Sequence, residues 1–205
     1  MGAGILPYAI QNGQLYVLLG RERVEDNQKH GQSGLWSDFG GKKIPGEETI
    51  ETAAREAFEE SDGLLGSKVQ IIDTLRSGLK SGIVTESVCS GSSHVSYLLE
   101  IPFNSTLPTR HYQRFQQAWE KNRLEVIDKF NGKYEKDRIA WFHINHTRRV
   151  GCALRPWYGR IFQGQLDKLA EIGLIRTRSV YCPNRISYYD QSSLVRNYGS
   201  APGGM

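Results

Sequence analysis

The run Gly41-Lys-Lys-Ile-Pro-Gly-Glu47-Glu-Thr-Ile-Glu-Thr-Ala-Ala-Arg55-Glu56-Ala57-Phe58-Glu59-Glu60 carries two periodicities at once. Ile50, Ala53, Ala54 and Ala57 fall at i, i+3, i+4 and i+7, the spacing of an apolar helix face. Residues 49–61 therefore read as a helix, with Gly63 as a stop just beyond. Glu56, Glu59 and Glu60 fall at i, i+3 and i+4 and gather on another side, roughly 110° away at about 100° per residue. Three carboxylates on one side repel each other, so helix stability gains nothing from them. Alone, such a triplet is most often a solvated acidic face. A hard cation reverses the sign of the interaction, and oxygen-rich carboxylate sites suit Mg2+ or Mn2+, which also hold substrate phosphates.

The triplet does not stand alone. The stretch resembles the Nudix box, G-x5-E-x7-R-E-U-x-E-E-x-G-U with U a bulky aliphatic residue. Gly41, Glu47, Arg55, Glu56, Glu59 and Glu60 match it in identity and spacing. With each residue at a share of ~7%, chance agreement is on the order of 10⁻⁷ per starting position. Two positions depart from it. Ala57 stands where the family prefers Ile, Leu or Val, and Asp62 stands where it has Gly, with Gly63 one place late. The late glycine reads as a one-residue extension of the helix.

The resemblance implies an α/β fold, a Nudix-type α/β/α sandwich with a mixed sheet and an additional C-terminal helix. It also implies roles. Glu56, Glu59 and Glu60 would bind Mg2+ (or Mn2+), with the Gly41 carbonyl as a further ligand, and Glu47 and Arg55 would pair to hold loop and helix together. The general base in many family members lies outside the box. Glu135, six residues before Trp141 in Tyr-Glu-Lys-Asp-Arg-Ile-Ala-Trp, resembles that of the decapping branch. Asp137 is the neighbouring candidate, Glu100 a poorer one, and Ala140 fills the position before Trp141.

Outside the box, 5–10 and 15–19 read as strands joined by Asn12-Gly13, residues suited to the positive φ of a type I′ hairpin turn. Residues 21–34 read as a loop and 36–39 as a short strand. Strands are expected at 69–75, 94–101 and 139–144. Helices are expected at 110–130, closed by Gly132, and at 154–172. One domain, 1–197, with a basic C-terminal extension and a disordered tail at 198–205, fits 205 residues.

The net charge of +4 is uneven: from Asn145 onward nine basic residues face three acidic ones, which leaves the first 144 residues at −2. An acidic front and a basic rear suit a polyanionic ligand, against the bland reading of a solvated basic surface. Arg21, Arg23 and Lys42 (with Lys43) are expected to edge the cleft and bind substrate. The arginines of the rear alternate with Trp157, Tyr158, Tyr181, Tyr188 and Tyr189, a pattern open to RNA contact or to core packing. Expected substrates are therefore capped RNA (mRNA decapping) or diphosphoinositol polyphosphate. Two readings stay open beside them: a pyrophosphatase of small nucleotides (ADP-ribose, nucleotide sugars, dinucleoside polyphosphates), and a weak enzyme serving as an RNA-binding module.

Other classes are excluded by pattern. Gly40-Gly41-Lys42 lacks the rest of a P-loop. The five histidines show no H-E-x-x-H, and His143 and His146, on a strand-like segment, should face opposite ways. Cys89, Cys152 and Cys182 are odd in number and form no C-x-x-C, which points to a reducing, cytoplasmic setting. No apolar run approaches a membrane span, and the first residues lack a signal peptide's pattern.

Overall fold

Asn12 and Gly13 take φ of 53° and 71°, the turn geometry that matches the right-handed twist of paired strands. They join β1 (Gly2–Gln11) to β2 (Gln14–Glu22), in register from Tyr8↔Val17 to Gln11↔Gln14. This hairpin is the centre of the computed structural model, which describes residues 1–24, 34–82, 86–88, 93–127, 132–146 and 153–175. The remaining strands are β3 (Trp36–Ser37), β4 (Phe39–Lys42), β5 (Glu86–Val88), β6 (His94–Glu100) and β7 (Lys136–His143). The sheet is mixed: β1 and β6 run parallel and every other pair is antiparallel.

The hairpin forks. Residues 2–5 of β1 pair with β4, whereas 8–11 pair with β2. β2 in turn pairs with β7 along Tyr16–Glu22.

Alternation along these strands buries both faces, as strands covered on two sides require. Ala3, Ile5, Leu18, Val95, Tyr97 and Leu99 meet α1 (Thr49–Glu60), α2 (Lys68–Ser81) and α3 (Leu107–Lys121). Leu6, Tyr8, Val17, Leu19 and Leu98 meet the C-terminal helix, Tyr158–Glu171, here α5. A short α4 (Arg123–Ile127) follows α3. The layers are helix, sheet, helix. No helix among the described residues is long and apolar enough to cross a membrane.

Three expected elements differ. The apolar run at 69–75 is not a strand but lies within α2. Ser67 and Gln70 exchange the two hydrogen bonds of a capping box at its start, and Gly82 closes it at φ 76°. Ile71 and Leu75 then lie one turn apart and buried, each contributing about 1.5–3 kcal/mol. Short apolar runs carry no period that separates strand from helix, and here the caps decide.

The expected helix at 110–130 starts earlier, with Pro108 in its first turn, and breaks at Asn122. The Asn122 side chain accepts the Glu125 N–H instead. The expected helix at 154–172 starts only at Tyr158, because Leu154 bridges to Trp36 beside β3.

α1 is not extended at its end. Ser61 caps it, Asp62 takes φ 51°, and Gly63 takes φ 70°. The Asp62 N–H donates to the Glu59 carbonyl and the Gly63 N–H to the Phe58 carbonyl, the two bonds of a Schellman close. Asp62 thus occupies the left-handed position where the box has Gly, one of the few non-glycine residues that tolerate it. Ala57, the other departure, is fully buried against the sheet. The disorder expected at 198–205, the boundary at 197 and all three cysteines lie outside the described residues.

Candidate active site

Gly40 and Gly41 sit on β4, wedged between β1 and α1. A Cβ on Gly40 would lie 2.6 Å from the Gly4 Cα, and one on Gly41 would lie 2.4 Å from Glu56 Oε1. The box carboxylate therefore rests on peptide backbone, a contact that only glycine permits.

Arg55 is the hub of the outer side. Its Nε donates to Glu47 Oε1 at 2.8 Å and its Nη2 to Glu47 Oε2 at 3.2 Å. Its Nη1 donates to Glu56 Oε1 at 2.8 Å and to Glu59 Oε2 at 3.2 Å, and Nη2 also reaches the Lys42 carbonyl at 3.0 Å. One guanidinium thus ties the loop to three glutamates. The bonds from Arg55, with those from Thr52 Oγ1 and the Ile44 N–H, hold Glu47 down at about 2. Glu56 goes the other way, up to about 7. Burial raises it more than Arg55 lowers it, and Glu135 and Glu59 add like charge.

Glu60 faces inward. Its Oε2 accepts the Gly40 N–H at 2.8 Å, and its Oε1 lies 3.3 Å from Lys136 Nζ. Lys136 is buried, and its ammonium also donates to Glu22 and, at 2.8 Å, to Ser37 Oγ. Arg155, from the stretch before α5, donates to Glu22 at 2.9 Å. Burial pushes Glu22 up, but Lys136 and Arg155 outweigh it and bring it below its ordinary value. Burial holds Glu60 well above the usual range despite Lys136, with Glu135, Glu22 and Glu56 adding to the rise. Glu22, Lys136, Ser37 and Arg155 show no sequence signal of a site: Glu22 falls in the segment read as a loop and Lys136 before the strand expected at 139–144.

Glu135 stands just before β7, exposed to solvent on one side. On its other side it is crowded, and that desolvation raises its pKa, with Glu22 adding and Lys136, Arg155 and Arg23 opposing. Asp137 is gripped by Arg21 through two bonds of 2.7 and 2.9 Å, and Glu100 accepts from the Tyr8 hydroxyl.

The structure does not set Arg21 and Arg23 at an open cleft edge. Arg21 pairs with Asp137 across β2 and β7, and buried Arg23 donates to the Val126 carbonyl. Two of Arg21's five N–H donors are engaged by Asp137, and Arg23 is turned into the interior. Lys42 and Lys43 keep exposed side chains, and Lys68, at the start of α2, has its Nζ 3.5 Å from Glu59.

At the rear, Trp157 is exposed and stacks under Arg155 at 4.8 Å, whereas Tyr158 belongs to the core and donates to Gln165. Tyr181, Tyr188, Tyr189 and most rear arginines lie outside the described residues. His143 and His146 do not face opposite ways. The chain leaves the strand at Ile144 for a 3-10 turn, which brings their rings to 5.3 Å.

The donors around α1 are oxygen atoms, as a hard divalent ion requires. Two of these carboxylates, Glu56 and Glu60, are raised by burial and by neighbouring like charge, which a cation would relieve, and the Gly41 backbone lies against Glu56. Among the described residues no three acidic, histidine or cysteine side chains already converge as a ligand set; Arg55 and Lys136 hold the glutamates instead. Glu56 and Glu59 would exchange part of Arg55 for the ion.

Comparison with known proteins bears on this arrangement. The family model described as the NUDIX domain matches residues 1–142. An uncharacterized protein of Acanthamoeba polyphaga mimivirus is 49% identical over 63 residues, 30% of this chain and 20% of that protein. The match thus spans about a fifth of that relative's length. Among solved structures, an Ap4A hydrolase of C. elegans in a binary complex aligns at 15% identity and TM-score 0.45, over 83% of this chain and 97% of its own. A mutT/nudix family protein of Listeria innocua aligns at 12% identity and TM-score 0.49, over 84% and 95%. The T. brucei MERS1–RNA complex aligns at 11% and 0.44, over 84% and 63%.

Proposed function

The chain belongs to the NUDIX family of hydrolases, and from that premise we propose that it cleaves a diphosphate linkage with the help of Mg2+ or Mn2+. One observation carries the reading: Glu56 and Glu59 stand together on α1, with Glu56 against the Gly41 backbone and Glu60 beside Gly40. Glu56, Glu59 and Glu60, with the Gly41 carbonyl, would hold the ion. When bound, it supplies charge to neutralise the diphosphate and acidity to a coordinated water.

The chain's own residues do the rest. Arg55 keeps Glu47 and the 42–47 loop fixed against the helix. Glu135, partly in solvent and raised, would take the proton of water as that water attacks phosphorus and the bridging P–O bond breaks. Lys42 and Lys43, exposed in the box loop, and Lys68, 3.5 Å from Glu59, favour a substrate with several phosphates.

The substrate class proposed is therefore polyphosphorylated: capped RNA, diphosphoinositol polyphosphate or a dinucleoside polyphosphate, ahead of ADP-ribose or nucleotide sugars. The test is a panel of these compounds with Mg2+ and Mn2+. Metal-dependent turnover that Glu59→Gln abolishes supports the reading. A folded protein that hydrolyses none of them overturns it. Efficient turnover of ADP-ribose, with a KM for the polyphosphates insensitive to salt, overturns the substrate class.

A further inference from the structure

Lysine is almost never fully buried unless it is paired, yet Lys136 has no exposed side-chain surface. An ammonium has three N–H donors, and here three oxygens meet it: Glu22 Oε1, Ser37 Oγ at 2.8 Å and Glu60 Oε1 at 3.3 Å. The stem runs across Gly20 on the neighbouring strand, where a Cβ would lie 2.9 Å from the Lys136 Cγ and 3.0 Å from its Cδ. The absence of a side chain at Gly20 is what lets the stem pass. Glu22, the anchor on the far side of the ammonium, is itself fixed by Arg155 at 2.9 Å and Ser37 at 3.3 Å.

Glu60 is thus gripped at both oxygens, by the Gly40 N–H of β4 and by Lys136 of β7, while α1 carries its backbone. Stability is a weak reason for such an assembly, since apolar residues of similar volume often replace buried ion pairs without loss. Orientation is a better one. Each carboxylate oxygen has two lone pairs, and one donor per oxygen fixes the plane while leaving the others for a ligand. Groups that grip a metal ligand from outside in this way tune its affinity for the ion.

We infer that Lys136, seated by Gly20, is a positioning residue that clamps the Glu60 carboxylate for the divalent ion. The inference rests on the metal-binding reading above. Lys136 touches neither substrate nor metal in this role; it acts through Glu60.

The test uses Mn2+ alone as the probe. Free Mn2+ is followed by electron paramagnetic resonance as it is titrated with the full chain, and folding is followed by circular dichroism. K136M keeps the stem and removes the charge. G20A keeps every charge and displaces the stem. The expected result is Mn2+ binding weakened about 10- to 100-fold in K136M, and weakened in the same direction by a smaller factor in G20A. If K136M does not fold, G20A decides the matter by itself.

Mn2+ binding as tight as wild type in the folded variant overturns the inference. Tighter binding overturns it too, because the ammonium would then be competing with the ion. A wild type that binds no Mn2+ overturns the metal reading itself, a failure distinct from the other two.

Discussion

On the outer side of α1, Arg55 binds Glu47, Glu56 and Glu59 with 13% of its side chain still in solvent; on the inner side, Lys136 binds Glu22 and Glu60 with none. Both cations hold box glutamates, but they do so under different physics. Around Arg55, some water still reaches the charges. Around Lys136, each charge has been taken out of water and depends on its partner. The outer cluster is local, built within residues 42–59. The inner one joins strands, helix and the approach to α5, with Glu22 bonded to residues 114 and 133 positions away. The outer cluster is therefore the more open to exchange of contacts, and the inner one the more fixed.

The largest expected effect breaks the inner cluster. Glu22→Ala leaves Lys136 and Arg155 facing one another without their shared carboxylate. Removing one partner of a buried pair costs about 3–5 kcal/mol, to be read as a lowered urea midpoint. A loss below about 1 kcal/mol would show the inner cluster to be as screened as the outer one.

Next comes Glu59→Gln, on the outer side. Glu59 is partly exposed and its contacts, Arg55 and Lys68, are adjustable, so stability should change little while kcat falls by ~10²-fold or more. Wild-type turnover would remove Glu59 from the metal site. The same change at Glu60 should lower activity and stability together, because it weakens the hold on Lys136; equal stability of the two variants would erase the contrast between the clusters.

Two of the three glutamates that share Arg55 should differ in pH response. Glu47 is held at about 2, below its ordinary 4.5, so its contribution to stability is present above about pH 4.5 and is lost as pH falls toward 2. Glu56 is raised to about 7. In chelator its contribution is present below about pH 4.5 and is lost as pH rises through 7. Thermal melts in EDTA across pH 2–8 should show Glu47→Gln flattening the acid limb and Glu56→Gln the neutral one. Exchange of the two limbs between the variants would reverse the assignment.

The smallest effect concerns the helix end. Asp62→Gly relieves a non-glycine residue at φ 51° and gives up a 3.4 Å ion pair with Arg114. A gain of about 0.5–1 kcal/mol is expected, or roughly 1–4 °C in Tm for a chain of this size. An unchanged or lower Tm would show that the ion pair matters more than the backbone.

Several parts of this protein were written in short-range pattern. The hairpin turn at Asn12-Gly13, the apolar face of α1 and the box spacing from Gly41 to Glu60 depend on residues no more than about twenty positions apart, and local periodicity and turn chemistry fix them. The apolar run that became α2 was ambiguous, because seven residues cannot display a period, and the caps at Ser67 and Gly82 settled it. Arg21 and Arg23 read as ligands for phosphate, yet sequence carries no record of the Asp137 and Val126 oxygens that bond to them.

Lys136 is the clearest case. In sequence it is one polar residue near the start of a strand. Only when β2 and β7 pair, Gly20 opens a passage, and the stretch before α5 brings in Arg155 do Glu22 and Glu60 meet its ammonium. Sequence by itself determined which residues form the acidic helix and its family. Tertiary structure decided which cations hold that helix and which way each carboxylate faces, because charge pairing acts through space between residues that no local period connects.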